Sequence, residues 1–154
     1  LWDEGDPRKA FEKSIINANK VAMSLSDLFC VERHKQNFLS LLKNKLDIVF
    51  ANEQEILSLF DTNKFADVIE FSKKTKKLVV ITRGSKGALA IQDENVYECL
   101  AKKNLKIIDL TGAGDLFASG FLDGYIKGQS IKDCLDKGTD MSSRIIQIIG
   151  ARIN

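Results

Sequence analysis

Gly112-Ala113-Gly114-Asp115 is the stretch of this sequence whose residue types and spacing could most directly do chemistry. Two glycines one residue apart permit a tight turn in which the backbone comes close to a ligand. Leu116, Phe117, Gly120 and Phe121 follow at helical spacing, so the turn is expected to open a helix. The unpaired amides of a helix's first turn, with the positive end of its dipole, make an anion site, and phosphate is the anion expected there. Asp115 would repel that phosphate unless it had work to do. One such task is accepting the proton of an attacking hydroxyl. The helix terminus favours the ionised carboxylate, which would orient the hydroxyl and take its proton late, as phosphoryl transfer permits. The same residues also suit a plainer role, an Asp capping a helix beside a tight turn.

Two further polar strings follow apolar runs. Asn52-Glu53-Gln54-Glu55 comes after Asp47 to Ala51, and Arg83-Gly84-Ser85-Lys86-Gly87 after Leu78 to Thr82. Polar groups just past the carboxyl end of a parallel strand lie where open α/β sheets bind ligands. Asn52 and Glu55 could instead cap the helix that carries Ile56, Leu57 and Phe60. The second string lacks the G-x-x-x-x-G-K-[ST] spacing of a Walker A loop, and Gly84 and Gly87 could serve a simple turn. His34 is the only histidine and lies on an apolar stripe, which makes it structural and leaves a metal cluster or a serine-histidine-aspartate triad little to build on.

These residues need a scaffold, and the hydrophobic pattern supplies one. Lys9 to Asn19 reads as a helix, Val21 to Leu25 as a short strand, and Val31, His34, Phe38, Leu41 and Leu42 as one face of an amphipathic helix. Asp47 to Ala51 and Leu78 to Thr82 are continuous apolar runs of strand length, expected to be buried on both faces of a parallel sheet. Asp61-Thr62-Asn63 should form a turn before a helix with Phe65, Val68, Ile69 and Phe71. Ala88 to Gln92 and Val96 to Leu100 read as two strands joined around Asp93-Glu94-Asn95. Ile107 and Ile108 are expected to end a strand before the glycine turn. Gly128-Gln129-Ser130 then separates the helix after the turn from a last helical stripe of Ile131, Leu135, Gly138, Met141, Ile145 and Ile149, in which Gly138 permits close helix packing. Helices alternating with apolar strands, then a small antiparallel portion and two final helices, predict a three-layer α/β fold with a mainly parallel sheet flanked by helices.

Composition narrows the partners. The chain has 154 residues, 44% of them hydrophobic, enough for a sizeable core. Its 23 basic and 21 acidic residues leave a net charge of +2, so no strong field selects nucleic acid or an anionic membrane. Cys30, Cys99 and Cys134 are odd in number and lack C-x-x-C spacing, which argues against a disulfide framework or zinc site and fits a reducing, cytoplasmic setting. No apolar run approaches the ~18 residues of a membrane span.

The longer string D-L-T-G-A-G-D-L-F-A-S-G-F-L, from Asp109 to Leu122, closely resembles the signature of the ribokinase-like carbohydrate and nucleoside kinases, the PfkB family. The resemblance implies that Asp115 is the catalytic base and that the Gly112, Ala113 and Gly114 amides form the anion hole. Leu110 departs from the commoner Thr, at a position that is not the catalytic group. Asn52 and Glu55 match the family's N-x-x-E motif, which implies that Asn52 lies by the nucleotide phosphates and that Glu55 helps hold magnesium through water. Thr82, Gly84 and Gly87 match its T-x-G-x-x-G turn, which lines the nucleotide site. L-S-D-L-F-C-V-E-R-H, from Leu25 to His34, resembles bacterial adenosine-kinase-like members. Gly150-Ala151-Arg152 resembles a loop that in some relatives helps hold a monovalent cation.

What the resemblance implies is an ATP- and magnesium-dependent kinase acting on a primary hydroxyl of a sugar or nucleoside. It spans nearly the whole chain, in the order of the family's C-terminal half. Residues 1–154 are therefore expected to be the C-terminal part of a single ribokinase-like domain, with the N-terminal half and lid lying outside them. A non-catalytic nucleotide-binding or regulatory module of the same fold is the second reading, which the retained Asp115 speaks against. A dinucleotide-binding oxidoreductase needs G-x-G-x-x-G, and Phe117 stands where the third glycine belongs.

Overall fold

The computed structural model describes residues 6–152. In chain order the elements are α1 (Asp6–Asn17), β1 (Ala22–Ser24), α2 (Leu28–Asn44), β2 (Ile48–Asn52), α3 (Glu53–Phe60), α4 (Phe65–Thr75), β3 (Leu78–Thr82), β4 (Ala88–Gln92), β5 (Asn95–Cys99), α5 (Ala113–Ile126) and α6 (Ile131–Ile145). The strands form one mixed, mostly parallel sheet in the order β1-β2-β3-β4-β5. By compactness the chain divides into two units, residues 1–81 with 91–95, and residues 82–90 with 96–154.

In the first unit, β1 and β2 pair in parallel with Ala22 against Ile48 and Ser24 against Phe50. Parallel neighbours need a crossover, and α2 provides it. Ser26, at φ 72°, turns the chain out of β1, and the Asp27 carboxylate accepts the Cys30 amide at 2.8 Å to start α2. That helix buries Val31, Phe38 and Leu42 and is kinked at His34, whose φ and ψ of −117° and 20° are not helical. Its apolar face closes over Val49, Ala51, Val79 and Ile81 of the sheet, with Ile56, Leu59 and Val68 of α3 and α4 in the same core. The predicted helices and strands of this unit are all present. Phe71 is more exposed than its place on the α4 stripe suggests.

In the second unit α5 and α6 form a helix hairpin. A Cβ at Gly120 would stand 2.8 Å from the Lys137 carbonyl oxygen, and one at Gly138 would stand 2.8 Å from the Phe117 carbonyl oxygen, so the two backbones approach as only glycine allows. Phe117, Phe121, Cys134, Leu135 and Ile145 are buried here, and Lys137 donates to Asp123 across the hairpin. The Ser130 hydroxyl accepts the Asp133 amide to cap α6.

Three expectations are corrected. Ile107 and Ile108 form no strand: they are 63% and 47% exposed, and the Ile108 amide donates to the Ile146 carbonyl at 2.8 Å instead of to a neighbouring strand. Helix α6 stops at Ile145, because Ile146 is its cap and its carbonyl is turned to the 108–109 amides; Ile149 is consequently 84% exposed. The β5 strand starts and ends one residue earlier than the pattern implied, because Asp93 takes the left-handed conformation, φ 52°, and tightens the turn. Among the described residues no helix is long and apolar enough to cross a membrane.

Candidate active site

The glycine turn behaves as its residue types require. Gly112 precedes α5 at φ 78° and ψ 1°, a left-handed conformation, and a Cβ there would stand 2.8 Å from the Ala151 Cβ. The Leu116 amide makes the first helical bond, to the Gly112 carbonyl at 2.9 Å. The Ala113 amide donates to the Leu110 carbonyl at 3.2 Å, so the amides of Gly114 and Asp115 are the ones that this helix start leaves open. Asp115 is exposed in that first turn, and its carboxylate carries no hydrogen bond or ion pair among the described residues. A helix start with open amides and an unpartnered carboxylate can bind an anion and accept a proton beside it.

Asp109 supports the turn from behind. Its Oδ1 accepts the Thr111 amide at 2.9 Å and the Thr111 hydroxyl at 2.7 Å, and its Oδ2 accepts the Gly150 amide at 2.9 Å. The Thr111 hydroxyl foremost, then the Thr111 and Gly150 amides, hold its carboxyl below the ordinary carboxylate value.

The second unit also holds a cavity of about 460 Å³. Thr82, Gly84 and Gly87 are among its lining residues, with Leu105, Ile107, Phe117 and Ile146 supplying apolar wall. Gly87, at φ 96° and ψ −141°, is a glycine of necessity: a Cβ there would overlap the Cys99 carbonyl oxygen and come within 2.9 Å of the Ala101 amide nitrogen. The volume suits a small organic ligand. Thr139, Ser142 and Ser143 of α6 complete the lining. The Thr139 hydroxyl oxygen is buried and its polar neighbour is the Cys99 thiol, a weak partner that leaves it able to meet a ligand. Sequence reasoning did not single it out; its signal is a threonine next to Gly138 on the buried face of α6. Asp115 and the 112–114 turn are not among the cavity's lining residues, although Leu110 and Phe117, on either side of them in sequence, are.

Asn52 and Glu55 belong to the first unit, where they make a reciprocal capping box on α3. The Asn52 side chain accepts the Glu55 amide at 2.9 Å, while the two Glu55 oxygens accept the Asn52 amide at 2.9 Å and its Nδ2 at 2.6 Å. Glu55 is 4% exposed. Burial raises its carboxyl above the ordinary value; the Asn52 amide opposes the shift and the charge of Asp27 adds to it. The capping role is therefore realised. Among the described residues no three His, Cys, Asp or Glu side chains gather into a metal-holding group, and the three cysteines are free and buried.

A family profile described as pfkB family carbohydrate kinase matches residues 8–154. The chain is 33% identical over 115 residues to a cytidine kinase of Thermococcus kodakarensis, covering 73% of this chain and 41% of the relative. It is 30% identical over 151 residues to the adenosine kinase of Schizosaccharomyces pombe, covering 89% and 44%. Among solved structures, a probable sugar kinase from Rhizobium etli superposes with a TM-score of 0.94 at 38% identity, and the adenosine kinase of Sinorhizobium meliloti with 0.95 at 35%; each match covers 99% of this chain and 48% of the other. The chain thus spans about half the length of the relatives it matches.

Proposed function

This chain belongs to the pfkB family of carbohydrate kinases, and from that premise we propose that it carries the proton-accepting and nucleotide-binding part of an ATP-dependent phosphotransferase acting on a primary hydroxyl of a sugar or nucleoside. The observation that carries the reading is the unpartnered Asp115 carboxylate in the first turn of α5, beside the open Gly114 and Asp115 amides. Charge builds on the transferring phosphoryl group, and backbone amides fixed in advance stabilise it at no cost in reorganisation. Asp115 orients the acceptor hydroxyl toward that group and takes its proton. Of the Gly112, Ala113 and Gly114 amides, that of Ala113 must exchange its long bond to Leu110 for the anion.

The cavity beside Thr82, Gly84 and Gly87 is the proposed nucleotide site, with the Thr139 hydroxyl meeting the base. For Asn52 and Glu55 the support is the N-x-x-E resemblance. Their chemistry fits a water-held magnesium ion, which keeps most of its own waters and takes one or two carboxylates plus substrate phosphates. When bound, magnesium neutralises phosphate charge, and Glu55 would meet it through water because both its oxygens already accept from Asn52. A monovalent cation near Gly150-Ala151-Arg152 rests on resemblance alone.

Residues 1–154 supply half of a family member's length, and the acceptor site is proposed to lie on the other half. The test is a coupled assay with ATP, magnesium and a panel of adenosine, cytidine, ribose and fructose. The polypeptide that carries these residues in full should turn over one of them, and residues 1–154 alone should turn over none, because positioning supplies much of the rate. ATP binding without transfer to any acceptor by the full polypeptide would favour the non-catalytic module instead.

A further inference from the structure

We propose that the groove between α2, α3 and α4 is a binding site for a small aromatic carboxylate, and that α3 carries its occupancy to Asn52 and Glu55. The inference goes beyond the kinase reading, and none of the residues that line the groove lines the cavity beside Thr82. The groove has a volume of about 460 Å³, room for a molecule of one or two rings. Leu39, Leu59, Phe60 and Phe71 give it an apolar wall, and the two phenylalanine rings meet edge to face at 5.7 Å and 70°. Phe71 lies on the apolar stripe of α4 yet is 38% exposed, so part of its ring is left for another ring to cover.

The charges at the groove set what that ring should carry. Lys35 and Asp61 also line it and pair at 2.8 Å, but the Lys35 side chain is 26% exposed and that of Asp61 89%. The ammonium is sheltered and its present partner stands in water. An ion pair of that kind adds little to stability, so a ligand carboxylate inside the groove can take Lys35 over while water receives Asp61. A second ammonium is close by: Lys74 Nζ lies 5.7 Å from the centre of the Phe71 ring and has no other partner among the described residues. Two ammoniums against one displaceable carboxylate select an anion, and the two rings select an aromatic one. The helix that closes the groove also begins with the capping box. α3 is eight residues long; Asn52 and Glu55 fix its first turn, and Leu59, Phe60 and Asp61 stand at its other end. So short a helix opens and closes as a unit, and a ligand that braces its last turn steadies the box at its first.

Naphthoate, an aromatic carboxylate, is the probe, with naphthylmethanol as its uncharged analogue and decahydronaphthoate as its saturated one. Titration calorimetry on the full polypeptide should show naphthoate binding at least about tenfold tighter than naphthylmethanol and at least about twofold tighter than decahydronaphthoate. Lys35→Gln should weaken naphthoate at least about tenfold and Phe71→Leu about two- to twelvefold. Asp61→Asn should instead tighten it about two- to fivefold, because the ligand no longer competes with Asp61 for Lys35. Asparagine accepts the left-handed conformation of position 61, φ 56°, so that variant keeps the fold. Bound naphthoate should also slow hydrogen exchange at the Asn52 and Glu55 amides. Equal affinity for naphthoate and naphthylmethanol, wild-type affinity in both Lys35→Gln and Phe71→Leu, or weaker binding in Asp61→Asn would overturn the site. So would competitive displacement by a non-hydrolysable ATP analogue, or no binding at about 1 mM. Unchanged exchange on binding would overturn the link through α3. These readouts decide the proposal whether or not the polypeptide phosphorylates an acceptor.

Discussion

Gly87→Ala and Gly84→Ala are the same chemical change three residues apart, and the structure gives them different costs. Gly84, at φ 55°, has open space where a Cβ would go, so alanine bears only the left-handed penalty of roughly 1–2 kcal/mol. Gly87, at φ 96° and ψ −141°, lies in a region that only glycine populates, a strain of about 1–3 kcal/mol. Its added Cβ would also overlap the Cys99 carbonyl oxygen, and a backbone atom cannot rotate aside, which adds overpacking of about 1–3 kcal/mol. The difference between the two variants should be near 3 kcal/mol, or roughly 6–12 °C in melting temperature for a domain of this size. The strain falls on the end of β5 and on Ala101, which lines the cavity, so Gly87→Ala should also weaken binding of a non-hydrolysable ATP analogue much more than Gly84→Ala does. Thermal unfolding followed by circular dichroism, and titration calorimetry on the folded variants, provide the comparison. Melting temperatures within about 2 °C of each other would refute the reasoning, because they would mean that the chain between Gly87 and Cys99 is not held where the structure puts it.

Thr139→Val should separate stability from binding. Because the hydroxyl's polar neighbour is only the weakly hydrogen-bonding Cys99 thiol, its removal should change the unfolding temperature little, whereas losing its bond to the base weakens ATP binding about 2- to 12-fold, for a bond of about 0.5–1.5 kcal/mol; equal affinity in the two proteins would remove Thr139 from the site. Glu55→Gln keeps one oxygen for the Asn52 amide but deletes the charge and the bond from Asn52 Nδ2, so the magnesium concentration for half-maximal activity should rise, and an unchanged titration would leave Glu55 with capping alone. The same variant tests the raised Glu55 carboxyl. The folded state holds that proton to higher pH than the unfolded state, so wild-type stability should fall as pH rises past the ordinary 4.5, and equal slopes in wild type and variant would contradict the shift.

How much of this was legible in the sequence depended on what each signal reports. Leu78 to Thr82 was placed to the residue because a strand buried on both faces must be apolar throughout, and its first four residues are buried. Ile107 and Ile108 carry the same local pattern without neighbours to pair with, and composition cannot say whether a partner strand is there. The Ile149 end of the α6 stripe failed for a related reason: periodicity continued, but the Ile146 carbonyl was turned to the 108–109 amides, a long-range bond that no helical pattern encodes. Gly138 was read as a packing glycine and is one, whereas the matching role of Gly120 on α5 became visible only with both helices in place. Asn52 and Glu55 show the limit in another form. A capping box and an N-x-x-E ligand motif need the same residues at the same spacing, so the string supports both readings and geometry alone adds the first.

Asp115→Asn, compared with wild type in the full polypeptide for ATP affinity and for turnover of whichever acceptor the panel identifies, puts the assignment of the proton acceptor to the test. The substitution preserves shape while removing the proton-accepting carboxylate and its negative charge. ATP affinity should stay within a few fold, and turnover should fall at least about a hundredfold, the scale expected for a positioned base. Near-normal turnover would contradict the assignment and return Asp115 to a helix-capping residue beside a glycine turn.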